Sequence, residues 1–330
     1  MRERWRERFV HPWRAIGGRM RVSTGSVLMG VVPVFCNLEA GGGAQAEEQL
    51  AAAFADSALA FELCATSPAE LAERLGEAVR AGVPAVGVAG GDGTLSTAAG
   101  VLAGTDTALA VFPGGTLNHF AVALGIRSYE DAVAALRQGR MAAVDVGEVN
   151  GRVFINGASI GIYPQKLRIR GVWQRWIGKW PAAAVAATAA MLDFHRHVLE
   201  IESAELQRVT VSPLVYVGPG RGSFQRPHLG PRELRSEVLE MVIVSAISRL
   251  RLLGLALRAL RRGGDGLTIC SRETDCTVHH GERFRVSSWF HRRIDLGIDG
   301  ELARLEAPLD FRIRRGALRV FLGDRQELGG

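Results

Sequence analysis

Two glycine-rich stretches constrain this chain more than any other feature. Gly90-Gly91-Asp92-Gly93-Thr94 and Pro113-Gly114-Gly115-Thr116 directly follow short apolar runs, 83–89 and 108–112, and a helix-forming stretch comes after each. Glycines at a strand end let backbone N–H groups approach a ligand, and a helix N-terminus beyond them favours an anion. Upstream, apolar runs at 27–35 and 60–65 alternate with helical stretches at 45–60 and 67–81. The second of these helices has Ser67 as a candidate cap and Pro68 in its first turn. Strands alternating with helices predict a doubly wound parallel sheet, whose ligands sit at the carboxyl ends of strands, where both glycine loops fall.

The pattern changes after Arg140. Runs at 143–149, 152–158, 198–202, 208–217, 239–247, 267–270, 276–278 and 283–287 are short and β-like, and helical patterning is confined mainly to 173–197 and 248–262. The fold class expected is therefore α/β: an N-terminal parallel-sheet domain, then a C-terminal antiparallel β-rich domain resembling a sandwich. The boundaries this predicts are a basic leader at 1–24, an α/β domain at 25–140 and a β-rich domain at 141–313.

Composition narrows the partners. A net charge of +6 favours an anionic one: nucleic acid, a phosphate-bearing ligand or an acidic membrane surface. A nucleic-acid partner is not expected, because no recognisable binding module is present. The leader carries Arg2, Arg4, Arg6, Arg8, Arg14, Arg19 and Arg21, with Trp5, Phe9 and Trp13 spaced as on one helix face. It reads either as a helix lying on an anionic bilayer or as a frayed tail. Trp173, Trp176 and Trp180, among Arg168, Arg170, Arg175 and Lys179, read either as an interfacial contact or as a helix face packed on the β domain. The longest helical apolar run, 182–192, falls short of the roughly 20 residues a span needs. No secretory signal is visible, so membrane contact should be peripheral. Cys36, Cys64, Cys270 and Cys276 show no CxxC pairing and are expected as reduced thiols of a cytosolic protein. His195, His197, His279, His280 and His291 lack ligand spacing and are expected to be exposed.

Asp92 would repel a phosphate held by its own loop unless a cation or a donor hydroxyl intervened, so it is a candidate for metal or substrate contact. In the second loop Thr116 and Asn118 offer polar side chains at a helix start, which an ordinary N-capped helix would also explain. Two such loops after successive strands could converge on one nucleotide.

Together, GGDGTLSTAAG (Gly90 to Gly100) and FPGGTLNHFA (Phe112 to Ala121) resemble the diacylglycerol kinase catalytic family, which includes bacterial lipid kinases, sphingosine kinases and ceramide kinases. Asn37 with Gly41-Gly42-Gly43 looks like a reduced form of the family's opening motif. Asn156-Gly157-Ala158-Ser159-Ile160-Gly161 resembles its Asn-x-Ala-Ser-x-Gly strand, and Asp299-Gly300-Glu301 its Asp-Gly-Glu. Residues 308–320 are similar to a closing strand, which implies that about 314–324 returns to the first domain. The resemblance implies a cytoplasmic ATP-dependent lipid kinase at the inner face of the membrane, using Mg²⁺. ATP contacts would fall on Thr66, Gly90, Gly91, Asp92, Gly93, Thr94, Leu95, Ser96, Gly114, Gly115, Thr116 and Asn118. Catalytic roles would fall on Glu301, the proton acceptor by resemblance to the bacterial lipid kinases, and on Asp299 and Asp92; the sphingosine-kinase relatives give more to the glycine-loop Asp, so which carboxylate is the base stays open. A second, structural Mg²⁺ would use Glu237, Leu234 and Leu239, with Glu237 and Val238 replacing the family's Asp-Gly. Neighbouring readings are an NAD kinase-like or sugar kinase on a soluble substrate, and a non-catalytic nucleotide- or lipid-binding homologue. Which lipid is phosphorylated, and whether the chain forms a homodimer, stay open.

Overall fold

The computed structural model describes residues 31–37, 43–55, 57, 59–115, 118–161, 197–223, 234–244 and 276–324. The first half alternates as its sequence predicts: β1 (Val31–Cys36), α1 (Gly43–Ala55), β2 (Ala60–Ala65), α2 (Leu71–Arg80), β3 (Ala85–Gly90), α3 (Asp92–Leu102) and β4 (Ala108–Pro113). Then come α4 (His119–Ala123) and α5 (Tyr129–Gln138). The four strands pair in parallel in the order β2-β1-β3-β4. The apolar runs of β1, β3 and β4 are buried along nearly their whole length, as strands covered on both faces require, whereas β2, at the sheet edge, buries only Cys64.

Two helix starts show how local chemistry sets boundaries. Ser128 accepts a hydrogen bond from the Asp131 N–H, and the Asp131 carboxylate accepts one from the Ser128 N–H, so α5 opens on a reciprocal cap. Ser67, expected to cap α2, instead begins a turn before it: its carbonyl accepts from the N–H groups of Glu70 and Leu71, and the helix starts at Leu71.

The second half supplies β5 (Met141–Val149), β6 (Arg152–Phe154), β7 (Ala158–Gly161), β8 (His197–Glu202), β9 (Gln207–Ser212), β10 (Leu214–Pro219), β11 (Leu239–Val244), β12 (Cys276–Gly281), β13 (Arg283–Ser288), β14 (Arg293–Ile298), β15 (Glu301–Glu306) and β16 (Leu309–Phe321). A six-stranded antiparallel sheet runs β12-β11-β10-β7-β14-β15. It faces β8, β13, the first half of β16 and the end of β5, and the two layers bury Phe154, Phe284, Phe311, Met241 and Leu296 between them. The expected α/β fold with an antiparallel β-rich second part is the fold observed.

One strand joins the two cores. The first half of β16 pairs with β13, and at its far end Val320 pairs in parallel with Leu109 of β4. The result is a continuous ten-stranded sheet. Phe311 therefore lies in the sandwich core, while Leu318, Val320 and Phe321 lie in the α/β core.

One expectation is corrected: Cys276 is disulfide-bonded, whereas Cys36 and Cys64 are free and buried. Cys270, Trp173, Trp176, Trp180, His195, the leader and both later helical stretches lie outside the described residues, as does the run at 267–270. Of the histidines expected to be exposed, His197 and His279 are half-buried, and burial, Arg208 and His280 hold the His279 pKa below the ordinary value. No helix among the described residues is long and apolar enough to cross a membrane.

Candidate active site

The parallel pairing of β3 and β4 sets Gly90 beside Pro113, so the two glycine loops leave the sheet side by side. They touch backbone to backbone. The Gly114 N–H donates to Gly90 O at 2.9 Å. A methyl group on Gly114 would come within 3.2 Å of Gly90 Cα, and one on Gly115 within 2.7 Å of Gly91 Cα. These glycines are required by contact between the loops, and the Gly114 and Gly115 N–H groups are spent in holding it.

Replacing Gly115 with Ala forces its methyl onto Gly91 Cα and, at 2.8 Å, onto Asn118 Oδ1. Gly115→Ala is therefore expected to cost about 1–3 kcal/mol, read as a lowered thermal midpoint, and to weaken nucleotide binding by parting the loops. Gly100→Ala in α3 is the control. Nothing lies within 4 Å of a methyl there, so removing a helix glycine should be neutral or slightly stabilising.

Asn118 closes the second loop. It sits at φ 49° and donates from Nδ2 to Gly115 O at 2.9 Å, while Oδ1 accepts from Gly115 N at 2.8 Å. Thr116 lies outside the described residues. Thr66 ends β2 nearly buried, its hydroxyl turned to Ser67 O at 3.2 Å. Thr94 packs on Gly90. The Leu95 side chain is fully buried in the α/β core and its N–H donates to Gly91 O at 3.0 Å, so neither faces a ligand.

Asp92 accepts from the N–H groups of His119 (3.3 Å) and Phe120 (3.2 Å), placing an anion at the start of α4, and from Asn156 Nδ2 at 3.2 Å. Both oxygens are engaged, so Asp92 ties the two loops to the segment between β6 and β7. Asn156 is the junction: its N–H donates to Asp299, its amide to Asp92, and its carbonyl accepts from Tyr216 at 2.7 Å.

Asp299 and Gly300 form the two-residue turn between β14 and β15, with Ile298 paired to Glu301 and φ values of 47° and 91°. Positive φ at both positions is what a type I′ hairpin needs, and Asp-Gly suits it. The same hairpin aims a carboxylate inward. Fully buried, Asp299 accepts from the N–H groups of Ile155 (2.8 Å), Asn156 (2.7 Å) and Gly157 (2.9 Å), and from the Ser96 hydroxyl. Burial pushes its pKa up, and these four donors pull against it.

Glu301, the first residue of β15, is exposed, and its Oε1 would lie 3.0 Å from a methyl group on Gly93. A carboxylate from the β-rich half thus reaches the first glycine loop. Of the expected residues, the fold gathers Asp92, Gly93, Ser96, Asp299 and Glu301 with both glycine loops. Two partners have no expected role: Asn156, visible only within its motif, and Tyr216, which carries no local signal.

Residues 31–149 match the diacylglycerol kinase catalytic domain. A Pseudomonas fluorescens protein described as "Probable lipid kinase YegS-like" is 31% identical over 269 residues, covering 77% of this chain and 82% of the relative. The chain belongs to the diacylglycerol kinase catalytic-domain family. A Pseudomonas aeruginosa protein of the same description is 42% identical over 87 residues, which span 29% of its length. A diacylglycerol kinase structure from Bacillus anthracis superposes with a TM-score of 0.61 at 18% identity, covering 89% of this chain and 97% of that one, and supports the fold alone.

The structural-metal residues that the family resemblance implies do not fit a cation here. Leu234 O already accepts from the Asp145 N–H at 2.8 Å, and the Glu237 carboxylate faces Arg315 at 3.5 Å. Asp145, buried beside them, accepts from the N–H groups of Glu237 (2.8 Å) and Gly316 (2.7 Å). Leu239 is held in the β11 ladder between β10 and β12. The Glu237 carboxylate is turned to a guanidinium and the Asp145 oxygens to N–H donors, and no group of three or more His, Cys, Asp or Glu that could hold an ion occurs among the described residues. Removing divalent cations with EDTA is therefore expected to leave the thermal midpoint of the nucleotide-free protein unchanged. A drop restored by Mg²⁺ would overturn this.

Proposed function

We propose that this chain is an ATP-dependent lipid kinase transferring the γ-phosphate of ATP to a hydroxyl of a membrane lipid. The observation that carries the reading is the Glu301 carboxylate beside Gly93. Phosphoryl transfer needs a positioned phosphate and a carboxylate to take the hydroxyl proton, and these two groups bring both to one place. The N–H groups of Asp92, Gly93 and Thr94, which open α3 after the Gly91 cap, would hold the phosphates, while Gly114 and Gly115 hold the second loop against the first. Glu301, which has no hydrogen-bond partner among the described residues, would accept the proton. Asp92 and Asp299 act as positioning groups, fixing α4, Ser96 and residues 155–157 around the loop. Mg²⁺ arriving with the nucleotide would be held chiefly by its phosphates and would neutralise charge on them. The enzyme would work at the cytoplasmic face of the membrane, in peripheral contact.

The test is transfer of labelled γ-phosphate from ATP and Mg²⁺ into a total bacterial lipid extract, with NAD and fructose 6-phosphate in parallel. Label in a lipid supports the proposal. Label in NAD or the sugar moves the activity to a soluble substrate, and ATP binding without transfer makes the chain a non-catalytic homologue.

A further inference from the structure

The β14–β15 hairpin has two ends. The Asp299–Gly300 turn closes one. At the other, in the connection between β13 and β14, Trp289 and Phe290 are 64% and 72% exposed, more than any other large apolar side chain among the described residues. The fold holds them there. The Trp289 N–H donates to Val198 O at 3.4 Å, and Arg292 O accepts from the Ala307 N–H at 2.8 Å. Val198 pairs with Val211, which is 42% exposed, and Val209 on the same face is 51% exposed. The aromatic tip thus continues into an apolar strip along the sheet edge.

Cations flank the tip. Arg292 and Arg293 follow just after it, both exposed. Of the nearby acids, Glu306 is matched by Arg293 at 3.2 Å and Asp295 by Arg304 at 3.1 Å, while Glu200, opposite Val209, has no ion-pair partner among the described residues. Arg292 has no ion-pair partner among the described residues. Exposed Trp and Phe beside arginines are the side chains that settle at the level of lipid headgroups, and a chain of net charge +6 is drawn to an anionic surface.

We propose that the Trp289–Phe290 tip docks this protein onto an anionic lipid bilayer. The inference rests on the lipid-kinase reading for its purpose. From the Arg293–Glu306 pair to the Ile298–Glu301 pair is five residues of strand, roughly 17 Å. That is close to one leaflet of a ~30 Å hydrocarbon core. A lipid whose chains stay near the tip could therefore present its headgroup at Glu301.

The test needs no activity. The full chain is sedimented with vesicles of phosphatidylcholine alone and of equal parts phosphatidylcholine and phosphatidylglycerol. Wild type should bind the anionic vesicles more tightly, and less so as salt rises. The double variant Trp289→Ala/Phe290→Ala, with an unchanged thermal midpoint, should bind at least about tenfold more weakly. Arg292→Glu should lose binding on anionic vesicles only. Equal binding by wild type and the double variant, or no vesicle binding by wild type, overturns the proposal. So does light scattering in which the double variant converts a dimer to a monomer with vesicle binding unaltered, since the strip would then face a second copy. Tip-dependent vesicle binding without kinase activity would leave this inference standing and sink the proposed function.

Discussion

Glu301→Gln is expected to leave the protein folded and to lower phosphoryl transfer by about 10²–10⁴-fold, the range for removing a general base. The change is isosteric, on an exposed side chain with no hydrogen-bond partner among the described residues, so nothing in the packing should respond. The thermal midpoint should match wild type, and ATP binding should persist, because the glycine loops do not depend on this carboxylate for their shape. Steady-state turnover with the labelled lipid, beside a melting curve, checks both halves. Retained turnover would place the proton acceptor elsewhere, and a large fall in the midpoint would make Glu301 structural.

Much of the fold is legible because burial on both faces writes a strand as an unbroken apolar run. The run at 108–112 coincides with β4 to within one residue, and the one at 60–65 with β2, although Glu62 interrupts it and this edge strand buries only Cys64. Where one run serves two sheets, the reading fails. Residues 208–217 look like one strand, but the chain turns at Pro213, and β9 and β10 lie in different sheets. Residues 152–158 divide in the same way into β6 and β7. That break is part of the site, since the N–H groups of Ile155, Asn156 and Gly157 leave the ladder to bind Asp299.

The site was legible as motifs and not as roles. Asp92 and Asp299 stand in recognisable sequences, and that both would be spent on backbone N–H groups is visible only in three dimensions. Tyr216 reaches Asn156 across 60 residues of sequence, a relation no local pattern can carry. The mismatch at Glu237 was visible as a substitution. Its consequence needed Arg315, which lies far along the chain.

Asp299→Asn tests the buried junction. Asparagine suits a left-handed turn position, as Asn118 and Asn150 show at φ 49° and 45°, so backbone strain is not introduced. What changes is the chemistry of one atom. A carboxylate oxygen accepting from backbone N–H groups becomes an NH₂ facing the same donors in a buried place. The expected cost is about 3–5 kcal/mol in denaturant unfolding, the range for breaking a buried charge-assisted network. Activity should fall with it, because Ser96, Asn156 and through it Asp92 lose their common anchor. Ser96→Ala removes a single donor and should cost about 1 kcal/mol with partial activity. The contrast with Glu301→Gln is decisive: one variant should be stable and inactive, the other unstable and inactive. An Asp299→Asn protein as stable as wild type, yet inactive, would instead make Asp299 a group that acts on substrate.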